Sequence, residues 1–410
     1  MKTISLDQLH GVLADLPDNP RIVCSGNFAT PTRVLNVINE QLECFRLNML
    51  NAQVGVPDRP GITHETIFVG PGVRKSERLQ YFPCRLSVAP VMFHHEFRPD
   101  VIVIHTSAPR YDTVSLGIEV NILPAAIEAA REYGAIVIAQ ANLHMPYTYG
   151  DAQIYSHEID YLVEVDEPIA THTAPPIDDT ARSIGERIAG HIVDGSTLQM
   201  GIGGVPDAVL AELTKHQGLR VWTEMFSDGV LALHENGCLD RDIPLTASFL
   251  FGSQNLYDFV HLNHRVRMLR TESTNDPGRI ARQRHMTSVN GALQVDLFDQ
   301  ANASRMNGKI YSGFGGSVDF IEGALHSRGG AAYIALASWH AKANVSTIVE
   351  RIDEPVTSFQ HSAVVTEFGI ARAFGRSQAE QVTDIIDKAA HPDAREQLWE
   401  SAEAMGLVKR

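Results

Sequence analysis

Residues 123–142 read LPAAIEAAREYGAIVIAQAN, and this stretch contains the pattern that decides the fold. Its first part, LPAAIEAAREYG (123–134), has the apolar spacing of a helix and ends at a glycine. Its second part, GAIVIAQAN (134–142), is a short continuous apolar run, which is typical of a parallel strand buried on both faces. A helix followed at once by a buried strand indicates a parallel α/β sheet.

The same alternation of apolar runs and helical patterns recurs along the chain. The other strand-like runs are RIVCSG (21–26), DVIVIHTS (100–107), AAYIALAS (331–338) and SAVVTEFG (362–369). Helical patterns also occur at IDDTARSIGERIAGHIV (177–193) and PDAVLAELTKH (206–216). We therefore predict an α/β protein made of two tandem open halves with mostly parallel sheets.

A weak internal repeat supports the two halves. The segments SGNFATPTRVL (25–35) and MGIGGVPDAVL (200–210) share a glycine, a proline, a valine and a leucine at one constant offset of 175 residues. In both segments a glycine turn precedes a proline at the expected start of a helix. A linker rich in proline and acid, EVDEPIATHTAPPIDD (164–179), lies between the copies, and we predict domains at 1–185 and 186–410.

Composition excludes several classes of protein. The 410 residues carry a formal net charge of −15 and no Lys/Arg-rich block, so no nucleic-acid partner is expected. No apolar run reaches the ~18 to 20 residues that span a bilayer, so no membrane contact is expected. The N-terminus lacks the pattern of a signal peptide, which predicts a cytoplasmic protein with reduced cysteines. The Cys and His residues do not have the spacing of metal ligands, so no metal site is expected.

Two glycine-rich loops stand out in the second half: GIGGVPD (201–207) and SGFGGSVD (312–319). Glycines permit a positive φ and let a ligand approach backbone N–H groups closely. The dinucleotide fingerprint requires a third glycine, which Pro206 and Val318 replace, and no Lys-Ser or Lys-Thr follows as in a phosphate-binding Walker loop. The loops are therefore either simple tight turns or another kind of backbone binding site.

Glu224 is a carboxylate in the strand-like run VWTEMF (221–226). The pattern alone favours a solvated residue on a half-buried strand. The alternative is a nucleophile towards acyl groups, which would form an anhydride. Backbone N–H groups of the glycine loops could then stabilise the developing oxyanion.

Six segments resemble the acetyl-CoA hydrolase/transferase family, and most closely its 4-hydroxybutyrate CoA-transferase branch among the class I CoA-transferases. They are DGSTLQMGIGGVPDAVL (194–210), TEMFSDGV (223–230), SVNGALQVD (288–296), SGFGGSVDFIEGA (312–324), VVTEFGIARAFGRS (364–377) and AAHPDAREQL (389–398). The resemblance implies two open α/β halves with the active site in the cleft between them.

The resemblance also implies roles for individual residues. Glu224 matches the family's nucleophile, and Ile202 and Gly203 would offer main-chain N–H groups to an oxyanion. Asn290 would hydrogen-bond a carbonyl or carboxylate of the acyl site, the alternative being a turn or cap residue. The glycines that match the CoA-binding loops are Gly201, Gly204, Gly313, Gly315 and Gly316.

The activity implied by the resemblance is transfer of CoA between short-chain carboxylic acids of the 4-hydroxybutyrate or acetate type. The reaction would be ping-pong, through an acyl-glutamyl anhydride and a glutamyl-CoA thioester, with CoA as substrate and without a permanently bound cofactor or metal. Acyl-CoA and small acids would be its ligands, and a homodimer or dimer of dimers its assembly. An acyl-CoA hydrolase with the same glutamate, or a non-catalytic acyl-CoA-binding protein, remain alternatives.

One segment departs from the family pattern. The stretch VTSFQHSAVVTE (356–367) is shorter than its family counterpart and lacks the proline and arginine found there. If that arginine supports an anionic ligand, we expect His361 or Arg376 to replace it, or the ligand preference to differ.

Overall fold

A computed structural model describes residues 1–201, 203–356 and 360–409. The chain forms two compact units. The first contains Met1–Thr173, Pro244–Asn275 and Ser312–Gly315, and the second contains Ala174–Ile243, Asp276–Tyr311 and Gly316–Arg410. A single boundary at residue 185 does not describe these units, because two later segments of the chain belong to the first one.

Helices and strands alternate along most of the chain. The helices are α1 Leu6–Leu13, α2 Thr32–Gln41, α3 Ala89–Met92, α4 Leu123–Tyr133, α5 Asp179–Ala189, α6 Gly204–Glu212, α7 Asp228–Glu235, α8 Gln254–Val260, α9 Thr271–Thr274, α10 Pro277–Ala281, α11 Ser317–His326, α12 Gln378–Asp384 and α13 Pro392–Ala404. The strands of the two large sheets are β1 Lys2–Thr3, β2 Arg21–Cys24, β3 Phe45–Asn48, β4 Ile62–Thr66, β5 Leu79–Tyr81, β6 Val101–Ser107, β7 Ile136–Asn142, β8 Tyr161–Val165, β9 Thr197–Met200, β10 Arg220–Val221, β11 Met286–Gly291, β12 Ala331–Ala335, β13 Ala363–Val365 and β14 Ile370–Arg372. Across the described part of the chain, no helix has the length and apolar character needed to cross a membrane.

The large sheet of the first unit is parallel throughout, in the order β1-β8-β7-β6-β2-β3-β4-β5. Its central strands are apolar because both faces are covered, and all seven residues of β6 are buried. Helix α4 ends at Gly134, which has a φ of 78° and donates its N–H to the carbonyl of Ala130. This confirms the helix and strand predicted for residues 123–142.

The large sheet of the second unit has the order β10-β9-β11-β12-β13-β14. Its strands are parallel except at the β13–β14 edge, where the pairing is antiparallel. A buried apolar cluster that includes Phe320 of α11, Ile334 of β12, Val364 of β13 and Leu398 of α13 forms a core of this unit. The predicted mixed α/β fold with mostly parallel sheets is confirmed.

The order of strands reverses at one point in each sheet. The chain leaves β2 towards β3 on one side, whereas β6 lies on the other side of β2. In the second sheet, β10 and β11 likewise lie on opposite sides of β9. Ligands of open α/β sheets bind outside the carboxyl ends of the strands at such reversals. The two copies of the sequence repeat begin there, since Gly26 lies just after β2 and Gly201 directly follows β9.

Candidate active site

The first glycine loop lies at the reversal point of the second unit, between β9 and α6. Gly201 follows β9 directly, and Ile202 lies outside the described residues. Gly203 is the N-cap of α6 and has a φ of 115°, a conformation that favours glycine. No side chain caps this helix, so a backbone loop alone precedes its first turn. A helix N-terminus of this kind attracts anions and polarised carbonyl oxygens.

Glu224 lies in a bend and not inside a continuous strand. The run VWTEMF forms two short strands, Arg220–Val221 (β10) and Met225–Phe226, and the chain bends at Glu224 between them. The prediction of one strand was therefore wrong, because the break depends on a distant contact. Glu224 is half-buried, so it is neither a fully solvated nor a core residue.

Thr223 holds this bend against the glycine loop. Its side chain is buried, and its hydroxyl lies 2.8 Å from the carbonyl oxygen of Met225 and 3.3 Å from that of Met200. Met200 is the last residue of β9 and immediately precedes Gly201. The structure thus brings Glu224 and the first glycine loop to the same end of β9.

An apolar pocket adjoins the bend inside the second unit. Most of its walls are aliphatic or aromatic, and it is lined by Leu198, Met200, Gly201, Leu210, Val221, Thr223, Met225, Phe226, Ser227 and Val230. The side chains on both sides of Glu224, Thr223 and Met225, contribute to this wall. An apolar wall beside a carboxylate lowers the local polarity and strengthens electrostatic interactions there.

Asn290 belongs to a buried polar network that sequence reasoning missed. It lies near the carboxyl end of β11, and its amide nitrogen donates to the hydroxyl of Ser288 at 2.8 Å and to the side-chain oxygen of Gln199 at 3.3 Å. Gln199 is on β9, paired in register with Ser288. The amide group of Asn290 is therefore engaged with Ser288 on its own strand and with Gln199 on the neighbouring strand. The sequence signal was a pair of polar residues, Ser288 and Gln199, inside strands that are almost entirely buried.

Two acidic residues of the second unit accept hydrogen bonds from serines in other segments. The hydroxyl of Ser227 donates to the carboxylate of Asp207 at 3.3 Å, which connects α6 with the residue before α7. The carboxylate of Glu367 accepts hydrogen bonds from the backbone N–H and the hydroxyl of Ser338, at 2.9 and 2.6 Å. Within residues 1–201, 203–356 and 360–409, no group of three His, Cys, Asp or Glu side chains could hold a metal ion.

The second glycine loop is held by its backbone. In the first unit, Gly313 packs so tightly that a Cβ atom there would lie 2.4 Å from the carbonyl oxygen of Ile67. The carbonyl of Gly315, a residue with a φ of 57°, accepts the N–H of Leu86 at 2.9 Å. Gly316 is the N-cap of α11 in the second unit. The loop conformation is therefore fixed by close packing and by backbone hydrogen bonds.

Comparison with known proteins identifies the family. The acetyl-CoA hydrolase/transferase C-terminal domain matches residues 252–402. The 4-hydroxybutyrate coenzyme A transferase of Clostridium kluyveri is 37% identical over 350 residues, which cover 82% of this chain and 80% of that protein. This chain belongs to the acetyl-CoA hydrolase/transferase family.

Solved structures of similar proteins agree with this family assignment. RipA from Yersinia pestis superposes with a TM-score of 0.91 at 26% identity, covering 99% of this chain and 98% of that one. The 4-hydroxybutyrate CoA-transferase of Porphyromonas gingivalis superposes with a TM-score of 0.82 at 30% identity, covering 98% of both chains. Together these relatives support a CoA-transferase as the enzyme class of this family member.

The two residues expected to compensate for the missing arginine differ in their exposure. Residues 357–359 of the shortened segment lie outside the described residues. His361 has no exposed surface, and its Nε2 lies 2.9 Å from the carboxylate of Asp299. Compensation for the missing arginine by His361 or Arg376 stays a prediction. Arg376 is exposed and lies 3.4 Å from Glu380, its neighbour one helical turn away.

Proposed function

We propose that this family member transfers CoA between short-chain carboxylic acids by way of covalent intermediates on Glu224. The observation that carries the proposal is the half-buried Glu224 bend, which Thr223 connects to the end of β9 beside the first glycine loop. The names of the relatives, which include a transferase of 4-hydroxybutyrate, support the reaction class.

The reaction starts with attack of the Glu224 carboxylate on the thioester carbonyl of the donor acyl-CoA. The C–S bond breaks, which gives an acyl-glutamyl anhydride and the CoA thiolate. The thiolate then attacks the glutamyl carbonyl, which releases the donor carboxylate and leaves a glutamyl-CoA thioester. The acceptor carboxylate repeats both steps in reverse, so that a new acyl-CoA leaves and Glu224 is ionised again.

The glycine loops have the properties that this chemistry requires. Each attack creates an oxyanion, which backbone N–H groups at the N-terminus of α6 would stabilise. In this proposal, Gly203, together with Ile202, provides such groups, and Gly201, Gly204, Gly313, Gly315 and Gly316 contact CoA. Because the amide hydrogens of Asn290 are engaged with Ser288 and Gln199, Asn290 contacts substrate only if one of these bonds opens.

A direct experiment traps the thioester. The protein is incubated with acetyl-CoA, reduced with borohydride and digested, and the peptide containing Glu224 is examined by mass spectrometry. We expect reduction of Glu224 to the alcohol, and no such product in Glu224→Gln. Glu212→Gln, which changes an exposed glutamate at the end of α6, is the matched control and should behave as the parent enzyme. An unmodified Glu224 in protein that binds acetyl-CoA would support the non-catalytic alternative.

An acyl-CoA hydrolase is the second candidate, because a half-buried glutamate is accessible to water. Water would then attack the glutamyl-CoA thioester in place of an acceptor acid. Acetyl-CoA is incubated with and without a series of short acids, and free CoA and new acyl-CoA are measured. Formation of new acyl-CoA that requires an acid is the result expected of a transferase. Release of CoA without any acid, and without new acyl-CoA, would identify a hydrolase.

A further inference from the structure

Four polar side chains share one face of the large sheet of the second unit, near the first glycine loop. They are Thr197 and Gln199 of β9, and Ser288 and Asn290 of β11. Residues two apart in a strand point to the same side, and Gln199 pairs in register with Ser288, so both pairs lie on the same face. None of the four is more than 9% exposed. Buried polar groups cost stability unless they are hydrogen-bonded.

Two short hydrogen bonds give this group a fixed direction. The hydroxyl of Ser288 donates to Gln199 Oε1 at 2.5 Å, so its single hydrogen is used and its lone pairs are left for another donor. The amide nitrogen of Asn290 donates to this hydroxyl at 2.8 Å. Gln199 therefore makes Ser288 an acceptor, and Ser288 in turn selects the amide nitrogen of Asn290, and not its oxygen, as the atom that faces it.

The contacts between Gln199 and Asn290 are the weak part of the group. The amide nitrogen of Asn290 lies 3.3 Å from Gln199 Oε1, and Gln199 Nε2 lies 3.4 Å from Asn290 Oδ1. Both distances exceed the range of about 2.7–3.2 Å that is usual for N–H···O hydrogen bonds. Across the other edge of β11, the register neighbours are Ala332 and Ile334, whose side chains neither donate nor accept. One amide hydrogen of Asn290 is thus held firmly by Ser288, and the other is held loosely.

The register of the sheet brings Asn290 level with the first glycine loop. Met200, the last residue of β9, is opposite the residue before Asn290, so Asn290 is level with Gly201. Strand β10 lies on the other side of β9, and the contact of Thr223 with Met200 holds the Glu224 bend there. Asn290 and Glu224 therefore flank the carboxyl end of β9 from its two sides, within one unit.

We propose that Gln199 and Ser288 are positioning residues for Asn290, whose oriented amide donates one N–H to the oxyanion formed when Glu224 attacks a thioester. The inference rests on the proposed CoA transfer and adds two residues that the reaction scheme does not use. Ser288 keeps its hydrogen bond throughout, whereas the longer contact with Gln199 gives way to the oxyanion. A donor that is oriented before the reaction stabilises the transition state without reorganisation.

The test measures formation of the glutamyl-CoA thioester, so it needs no acceptor acid. The protein is mixed with acetyl-CoA, quenched with acid at timed intervals and digested with pepsin, and mass spectrometry gives the fraction of the Glu224 peptide that carries CoA. We expect Ser288→Ala to lower the maximal rate about tenfold, the effect of one lost hydrogen bond. The acetyl-CoA concentration that gives half the maximal rate should stay unchanged, because the lost interaction acts on the transition state.

Thr197→Val is the matched control on the same face of the sheet. The buried hydroxyl of Thr197 has no hydrogen-bond partner among the described residues, so its removal breaks no bond of the group. This variant should form the thioester at the rate of the parent protein.

A positioning role requires that Ser288 act only through Asn290. Asn290→Ala should lower the maximal rate about 100-fold, as expected for loss of one oxyanion donor. Addition of Ser288→Ala to this variant should cause less than about a twofold further loss, because the group that Ser288 orients is already absent. If the two losses multiply to about 1,000-fold, Ser288 acts independently of Asn290 and the assignment is overturned.

Two substitutions of similar size separate positioning from packing at Gln199. Gln199→Glu keeps an acceptor for the Ser288 hydroxyl and should hold the rate within about threefold of the parent value, whereas Gln199→Met lacks that oxygen and should lower it about tenfold. A purely structural role gives the opposite order, because burial of a carboxyl group costs more than burial of a thioether. Circular dichroism verifies folding, and if Gln199→Glu unfolds, the double substitution at Ser288 and Asn290 decides.

Failure of the inference and failure of the proposed function give different results. A parental rate in Ser288→Ala, or equal rates in the two Gln199 variants, would overturn the positioning role while the reaction itself stands. Absence of CoA on Glu224 in the unsubstituted protein, with acetyl-CoA and with butyryl-CoA as donors, would overturn the proposed function and this inference with it.

Discussion

Replacement of Glu119 by glutamine should change how the stability of the first unit depends on pH. Glu119 lies between β6 and α4 and is buried, and this burial raises its folded-state pKa to about 7 from an ordinary value of 4.5. The folded state therefore holds this proton more tightly than the unfolded state, and stability falls as the pH rises through that interval. At about 1.36 kcal/mol per pH unit, the parent protein loses about 3 kcal/mol in all, of which about 2 kcal/mol lies between pH 5.5 and 8.

Glutamine does not ionise, so the stability of Glu119→Gln lacks this loss. The free energy of unfolding of the variant relative to the parent protein should therefore rise by about 2 kcal/mol from pH 5.5 to pH 8. The three tryptophans, Trp222, Trp339 and Trp399, lie in the second unit and would not report this change. Hydrogen exchange of peptides from β2 and β6 in urea, measured by mass spectrometry at both pH values, does report it. Glu43→Gln, at an exposed position of the first unit, should show no such trend. A stability difference that is the same at pH 5.5 and pH 8 would refute the reasoning.

Two further substitutions test the contacts of the glycine loops and of the Glu224 bend. Thr223→Val removes the hydroxyl between Met200 and Met225, so we expect kcat to fall about tenfold and stability by about 1 kcal/mol, with circular dichroism as the check on folding. Gly313→Ala would place a methyl group 2.4 Å from a backbone carbonyl oxygen. We expect the free energy of unfolding of this variant to fall by about 1–3 kcal/mol, and its melting temperature to fall with it. Gly11→Ala, in α1 with open space around it, should instead raise the melting temperature. Equal effects of the two alanines would contradict the steric explanation.

The sequence predicted helices and strands correctly where the local hydrophobic pattern matched the burial of the segment in the fold. The runs at β6 and β7 are apolar because these parallel strands are buried on both faces, and the glycine after α4 ends that helix. The glycine–proline repeat also predicted a helix soon after β2 and after β9, where α2 and α6 are found. These features are encoded within short stretches, so they are visible without knowledge of the tertiary structure.

The details of the site depend on contacts between residues far apart in the chain. The apolar run around Glu224 resembles a continuous strand, but in the structure it bends where the Thr223 hydroxyl contacts the distant carbonyl of Met200. His361 was expected to be available to a ligand, but no local pattern shows that it is buried beside Asp299. The role of Glu224 as nucleophile stays a prediction.

The hydrogen bonds that Asn51 donates to Asn27 and Asn27 donates to Glu119 were also missed, for a topological reason. Asn27 and Asn51 follow two different strands, and Glu119 lies in a segment after a third one. Their only sequence signal is a single carboxylate in the apolar run SLGIEVN (115–121) and asparagines after two buried strands. The order of strands in the sheet makes them neighbours, and a local pattern does not contain that order.

The first unit is formed by three separate segments of the chain, which has a consequence for its synthesis on the ribosome. The strand Tyr149–Gly150 pairs with Val266–Met268, which in turn pairs with Leu245–Ala247, and Val69 donates its N–H to the carbonyl of Ser312. The nascent first unit therefore cannot complete these contacts until about three-quarters of the chain has emerged. A gene cut between the two predicted domains would leave exposed strand edges, which favour aggregation. If the enzyme is produced as two fragments, both should therefore be expressed together, and the break should lie in a surface loop.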